Sequence, residues 1–123
     1  MAADRPPLPF PRAMRLKQSR DFASVRQQGQ RLVNGCLIAN WKPLPPGAKS
    51  RAGVITSRKL GPAVTRNRAR RLLRETFRLH QHDLNLPVTM VLVATPSIVG
   101  KRLADVERDF LSAMRRAKLL REH

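Results

Sequence analysis

Acidic residues are scarce: 8 Asp and Glu stand against 25 Lys and Arg in 123 residues, a formal net charge of +17 with an isoelectric point of about 12.0. So one-sided a charge repels itself in the folded state and points to an anionic partner, nucleic acid first and a membrane surface second. Cysteine occurs once, as Cys36, which excludes an internal disulfide and a four-ligand thiolate zinc site and leaves the thiol as a small buried hydrophobe in a strand. Tyrosine is absent and aromatics amount to 4% of the chain, so base stacking has few rings to draw on. No apolar run approaches the roughly 20 residues that span a bilayer; the longest, Val88 to Ala94, has the length of a strand. The first residues, Met1 to Ala13, carry arginines and four prolines but no apolar core of signal-peptide length. These absences predict a soluble protein of the cytoplasm.

What is present fits one globular core. The apolar share is 41%, ordinary for a folded domain, and the length suits a single compact unit rather than two enzyme-sized lobes. Seven of the ten prolines fall in two places, Pro6, Pro7, Pro9 and Pro11, then Pro43, Pro45 and Pro46. Because proline lacks the N–H that a helix interior or central strand needs, these mark an extended tail over residues 1–13 and a connecting loop over 43–50, with one domain spanning 14–123.

Ser19 reads as an N-cap, Phe22 and Val25 share a helical face, and Gly29 is placed to end that helix in the left-handed conformation. The apolar pieces Leu32-Val33 and Cys36 to Ala39 flank Asn34-Gly35, a dipeptide that favours a hairpin turn. Arg51 to Ser57 reads as a further strand, and Pro87 to Ala94, almost wholly apolar, as a strand covered on both faces. Helical spacing runs from about Val64 to His82. It returns from about Lys101 to Leu120, where Leu103, Val106, Phe110, Ala113, Met114 and Ala117 form one stripe. The order predicts an α+β or α/β sandwich, with helices on a small sheet.

The stretch from Ser57 to Arg78 concentrates the charge. Arg58 to Arg74 contains seven basic residues and no acid. At about 100° per residue, Ala69, Leu72, Leu73, Thr76, Phe77 and His80 gather on one side, while Arg68, Arg70, Arg71, Arg74 and Arg78 gather on the other. Arg70, Arg74 and Arg78 repeat at spacings where like charges oppose one another, with no carboxylate spaced to relieve them. A merely solvated helix face mixes signs, whereas guanidinium forks of one sign suit phosphate oxygens and base planes. Asn67 adds an amide that both donates and accepts, and Arg66 falls beside the packing stripe.

Val64-Thr65-Arg66-Asn67-Arg68-Ala69-Arg70-Arg71-Leu72-Leu73-Arg74-Glu75-Thr76-Phe77-Arg78 closely resembles the signature of the bacterial ribonuclease P protein component, the small basic subunit of the ribozyme that removes 5′ leaders from precursor tRNA. The resemblance extends from Arg15-Leu16 through Asp21-Phe22, Val25, Gly29, Gly53, Ser57-Arg58-Lys59, Gly61 and Ala63-Val64 to about Leu120. It implies the order αβββαβα, a ribosomal protein S5 domain 2-like sandwich with a left-handed β-α-β crossover, against the usual right-handed rule. It also implies two RNA surfaces. Arg66, Asn67, Arg68, Arg70, Arg71 and Arg74 would contact the RNA subunit. Phe22, with Ser57, Arg58 and Lys59 near the mouth, would line a cleft for the single-stranded leader. Arg26 replaces a second aromatic that many members carry, and Asn40 with Trp41 stands where some have tyrosine. Leader stacking is therefore expected from Phe22, Trp41 and guanidinium planes such as Arg26.

The chain offers no protein-borne nuclease centre. Such a centre needs clustered carboxylates for metals or an acid and base pair. Asp105, Glu107 and Asp109, two residues apart on a helix, do not share a face and suit its N-terminal dipole instead. His80 and His82 beside Asp83 look like a helix end rather than a metal site, and no phosphate-binding glycine loop occurs. The resemblance implies catalysis by RNA-bound Mg2+, with no cofactor held tightly by the protein. The implied partners are the ribonuclease P RNA and precursor tRNA, with no membrane and no obligate protein partner. Two rival readings are a ribosomal or RNA-assembly protein without a role in tRNA processing, and an autonomous nuclease.

Overall fold

In the computed structural model, which describes residues 15–16 and 19–121, a four-stranded sheet is built from β1 (Gln30–Asn34), β2 (Leu37–Pro43), β3 (Arg51–Ile55) and β4 (Val88–Ala94). The proline-rich tail expected over 1–13 lies outside the described residues, as does the side chain of the proposed cap Ser19. Strand order is β1-β2-β4-β3. β1 and β2 form an antiparallel hairpin, β2 pairs antiparallel with β4, and β3 pairs parallel with β4. Three helices complete the order αβββαβα: α1 (Ser19–Gln28), α2 (Ala63–His80) and α3 (Leu103–Arg116).

The sheet carries a core on each face, and strand alternation assigns the residues. Leu37, Ala39 and Trp41 of β2, with Val88, Met90, Leu92 and Ala94 of β4, pack with Ala69, Leu73 and Phe77 of α2 and Val106, Phe110 and Met114 of α3. The opposite side of the same strands meets α1 in a small cluster of Leu16, Val25 and Val91, joined by half-buried Phe22, Ile55 and Val93. As a central strand covered on both faces, β4 reads as an apolar run broken only by Thr89, for the reason its sequence suggests.

Backbone bonds fix the hand of the β3-α2-β4 connection. Thr95 N–H donates to Cys36 C=O at 3.0 Å and Leu44 N–H to Pro87 C=O at 2.9 Å. In that register Thr89, Val91 and Val93 turn their backbone groups toward β2 and their side chains toward α1. For L-residues this places β2 to the right of β4, and β3 to its left, when the sheet is viewed from α1 with β4 running upward. The chain leaves β3, passes through α2 behind the sheet, and returns to its right in β4, a left-handed crossover of the rare kind.

Local expectations shift in four places. Gly29 does not adopt the left-handed conformation. Glycine fits there because an added Cβ would sit 2.5 Å from Val25 C=O and closer still to Trp41 C=O, so α1 ends where its chain passes against β2. The hairpin turn is Gly35-Cys36 rather than Asn34-Gly35, since Asn34 pairs with Leu37. Gly35 takes the positive φ, 58°, that a two-residue hairpin turn demands at its first position. Cys36 is therefore a buried turn residue, not a strand residue. Finally, α3 stops at Arg116 because Lys118 turns left-handed (φ 61°), which lets Leu120 bridge to Leu84 and Asn85 N–H donate to Leu119 C=O at 2.7 Å.

Candidate nucleic-acid interface

α2 begins after Pro62, whose extended φ and ψ suit the entry to a helix. No side chain caps it and no acid lies in its first turn. Its orphan N–H groups and positive dipole end are thus left to an outside anion. Ala69, Leu73, Thr76 and Phe77 are buried against the sheet, which turns Asn67, Arg68, Arg71 and Arg74 outward to solvent. Arg70 is anchored: its Nη1 donates to Thr56 Oγ1 at 2.8 Å and its Nη2 to Asn67 Oδ1. Asn67 thereby spends its carbonyl on Arg70 and keeps its NH2 for another acceptor. Arg66 is half-buried beside the stripe, with its Nε buried and without a hydrogen-bond partner.

One expectation about this face changes. Arg78 is not unrelieved, because Glu75 pairs with it one turn away, and that bond holds the Glu75 carboxyl below the usual carboxylate range. The guanidiniums without such relief lie toward the helix N-terminus. A groove of about 400 Å³ is lined by Arg70, Arg71, Arg74 and Asn67, by Arg15, bridged to β3 beside Ala52, and at its far end by the Glu75–Arg78 pair. Burial, then the charges of Arg15 and Arg70, push the Arg74 guanidinium below its ordinary value. Guanidiniums of like charge held this close repel one another, and an anion between them would relieve that repulsion.

The second surface is the sheet face under α1. Strand registers align Val33, Ile38, Val93 and Ile55 in one row across all four strands. Val33 is exposed, and the other three are half-buried. The neighbouring row, Arg31, Asn40, Val91 and Gly53, runs beneath α1, where Val25 packs on Val91. An added Cβ on Gly53 would sit 2.5 Å from the Phe22 ring, so the missing side chain lets the ring lie against β3. Lys42 Nζ reaches up from the third row to Ser24 Oγ (3.2 Å) and Gln28 Oε1 (3.0 Å), fixing that flank of α1. By helical spacing, the opposite flank, Phe22 and Arg26, looks along the apolar row. Exposed Ser57, Arg58 and Lys59 follow Ile55 at the end of β3, anchored by buried Leu60 and a turn in which Leu60 N–H donates to Ser57 C=O at 3.1 Å.

Trp41 is not part of this surface. It is 4% exposed and packs in the α2-α3 core, because it is in phase with Leu37 and Ala39 along β2. Its neighbour Asn40 faces α1 and is also buried. Sequence reasoning missed Arg15, the row of Ile38, Val93 and Ile55, and Arg51, which lies on the α1 face with a buried, unpartnered Nε. Strand alternation held the signal for the row; only the register makes it continuous.

The acids are occupied structurally. Asp105 Oδ2 accepts Arg102 N–H at 3.0 Å and is held low by it. Asp109 accepts Cys36 N–H at 2.9 Å. His80 lies between Asp83 (2.8 Å) and Glu107 (3.3 Å) and stacks on Phe110. Among the described residues no group of three or more His, Cys, Asp or Glu could hold a metal ion, and no helix is long and apolar enough to cross a membrane.

Comparison with known proteins shows the family. The family model described as Ribonuclease P matches residues 10–118. The ribonuclease P protein component of Brevibacillus brevis is 32% identical over 111 residues, covering 90% of this chain and 88% of the relative. That of Desulfatibacillum aliphaticivorans is 40% identical over 85 residues, 69% of this chain and 71% of the relative. The fold is similar to that of the Staphylococcus aureus RNase P protein, with a TM-score of 0.78 at 24% identity over 89% of this chain and all of that one. It is also similar to the Thermotoga maritima RNase P protein, with a TM-score of 0.72 at 25% identity over 83% and 96%.

Proposed function

The chain belongs to the ribonuclease P protein family and so serves as a subunit of the endoribonuclease that matures tRNA 5′ ends; from that premise we propose how its two surfaces divide the work. The partner is the ribonuclease P RNA. Arg66, Asn67, Arg68, Arg70, Arg71 and Arg74 bind it through phosphate oxygens at the uncapped start and outer face of α2. The open face under α1 takes the single-stranded 5′ leader of precursor tRNA. Its bases lie on Ile38, Val93 and Ile55 beside Phe22 and Arg26, and its phosphates are met by Arg58 and Lys59.

The observation that carries this reading is the exposed guanidinium face of α2, of one sign over its first three turns, within the segment the family model matches. Catalysis belongs to Mg2+ held by the RNA. Among the described residues Glu75, Asp83, Asp105, Glu107 and Asp109 each already bond a neighbour, and no group of three or more His, Cys, Asp or Glu could hold a metal ion. The protein's part is to neutralise repulsion between the RNA subunit and the leader and to grip the leader. That raises substrate affinity and, by tightening the complex, the occupancy of the RNA's metal sites. Such a complex works in the cytoplasm.

The test mixes purified protein, ribonuclease P RNA and precursor tRNA at low Mg2+, then omits each component in turn. Cleavage that requires the RNA and is stimulated by the protein is expected. Cleavage by protein alone, or no stimulation, overturns the proposal, and co-sedimentation with ribosomal subunits without any effect on cleavage would favour an assembly role.

A further inference from the structure

Resting on the reading that α2 binds the RNA subunit, we propose that the RNA seats one unpaired nucleobase in an apolar slot between Val64 and Val99. Three large hydrophobic side chains stand out as exposed among the described residues, Val33, Val64 at 79% and Val99 at 52%. Two of the three face the same small slot of about 230 Å³. Val64 lies in the first turn of α2, and Val99 lies in the loop before α3, next to Gly100. Ala69 and Ile98, both buried, form the floor, while Thr65 and Arg68 stand at the rim. Two β-branched side chains held in water across a slot already floored by the core leave apolar walls that a flat ligand between them would bury.

Size and charge select the occupant. The volume lies below the roughly 300–1,000 Å³ of sites for drug-sized ligands and suits a single planar ring system. Seven residues line the slot, far fewer than the roughly 20–30 that each side of a stable protein interface contributes, which argues against a second copy of the chain. The rim belongs to the most basic part of the molecule, with Arg66, Asn67, Arg68 and Arg71 within about one turn. A ligand that joins an apolar flat ring to an anion is a nucleotide. Aliphatic walls accept the face of any base, as inserted apolar side chains do when they part stacked bases, and this gives affinity with little sequence preference. Arg68 would meet the nucleotide's phosphate, and the Thr65 hydroxyl can donate to or accept from the base edge.

The experiment titrates ribonuclease P RNA with the full chain and with Val64→Ser, Val99→Ser, the double variant and Arg68→Ala at several salt concentrations. It also reads Watson–Crick-edge reactivity at unpaired bases, with dimethyl sulfate for adenine and cytosine and a carbodiimide for guanine and uracil. Because both valines are exposed, the double variant should melt at the wild-type temperature. Expected is binding weaker on the order of tenfold with the salt slope unchanged, since no phosphate contact is lost. At least one base that wild-type protein protects should become reactive again. Binding within twofold of wild type by a variant that melts normally, or no nucleotide whose protection depends on the two valines, overturns the proposal. So does an RNA-free chain that self-associates through the slot, shown by sedimentation that the double variant alters. Should wild type fail to bind the RNA, or Arg68→Ala leave affinity and slope untouched, the reading of α2 fails instead.

Discussion

On the side of the sheet turned to α2 and α3, Leu73, Phe77, Met90, Leu92, Phe110 and Met114 are entirely shielded from solvent. On the side turned to α1, only Leu16, Val25 and Val91 form the buried cluster, and Ile38, Ile55 and Val93 stay half-exposed. Two helices close one face, and a single ten-residue helix covers part of the other. The same four strands therefore hold a dry core and a shallow apolar trough, separated by one sheet thickness. Stability is drawn from the first. The second keeps apolar surface available to a ligand with flat faces, and α2 presents its outer side to a polyanion without disturbing either.

The largest effect that would break this comparison concerns stability. Leu73→Ala should cost about 2–5 kcal/mol in urea unfolding, as expected for a fully enclosed aliphatic side chain, whereas the matching truncation Ile38→Ala on the half-exposed face should cost no more than about 1–2 kcal/mol. Equal losses would mean that the two faces are equally closed. Next in size, Ile38→Glu places a carboxylate in the trough. Precursor tRNA affinity of the holoenzyme should fall on the order of tenfold through like-charge repulsion, with binding to the RNA subunit unchanged. Arg68→Ala and Arg71→Ala should do the reverse, weakening the RNA subunit complex and lowering its salt slope by about 1 each, measured by filter binding between 50 and 200 mM salt.

The smallest effect is at Cys36. Burial, and then Asp109, push the thiol up to about 12, so at pH 8 only about one thiol in ten thousand is the reactive thiolate. Iodoacetamide should label the folded chain far more slowly than the urea-unfolded one. The same sign makes the fold lose stability as pH climbs from about 9 toward 12, where the unfolded chain ionises the thiol and the folded chain does not.

The closed face was legible because its signals are periodic: the stripes of α2 and α3 and the apolar run of β4 each announce themselves within one segment. The trough was not, because Ile38, Ile55 and Val93 come from three strands and become neighbours only through register. Trp41 shows the cost of reading a strand residue without its phase. Its alternation with Leu37 and Ala39 already assigns it to the core, a side chain away from the trough to which the resemblance assigned it. Gly29 was misjudged because a close backbone approach leaves no local signature, whereas Gly35 takes the positive φ that a glycine beside asparagine suggests, one step further along the turn. In the sequence Arg15 stands out only as part of the Arg15-Leu16 motif. Its proximity to Arg74 arises from a bridge to β3 that no spacing in the sequence encodes.

The most direct test of two separate RNA surfaces compares precursor tRNA carrying a single-stranded 5′ leader with the same tRNA lacking it, each titrated with the ribonuclease P RNA alone and with the RNA–protein complex. The account predicts that adding the protein strengthens binding of the leader-bearing tRNA and leaves the leaderless one nearly unchanged, with the gain lost in Ile38→Glu but retained in part in Arg71→Ala at saturating protein. An equal gain for both tRNAs would contradict it.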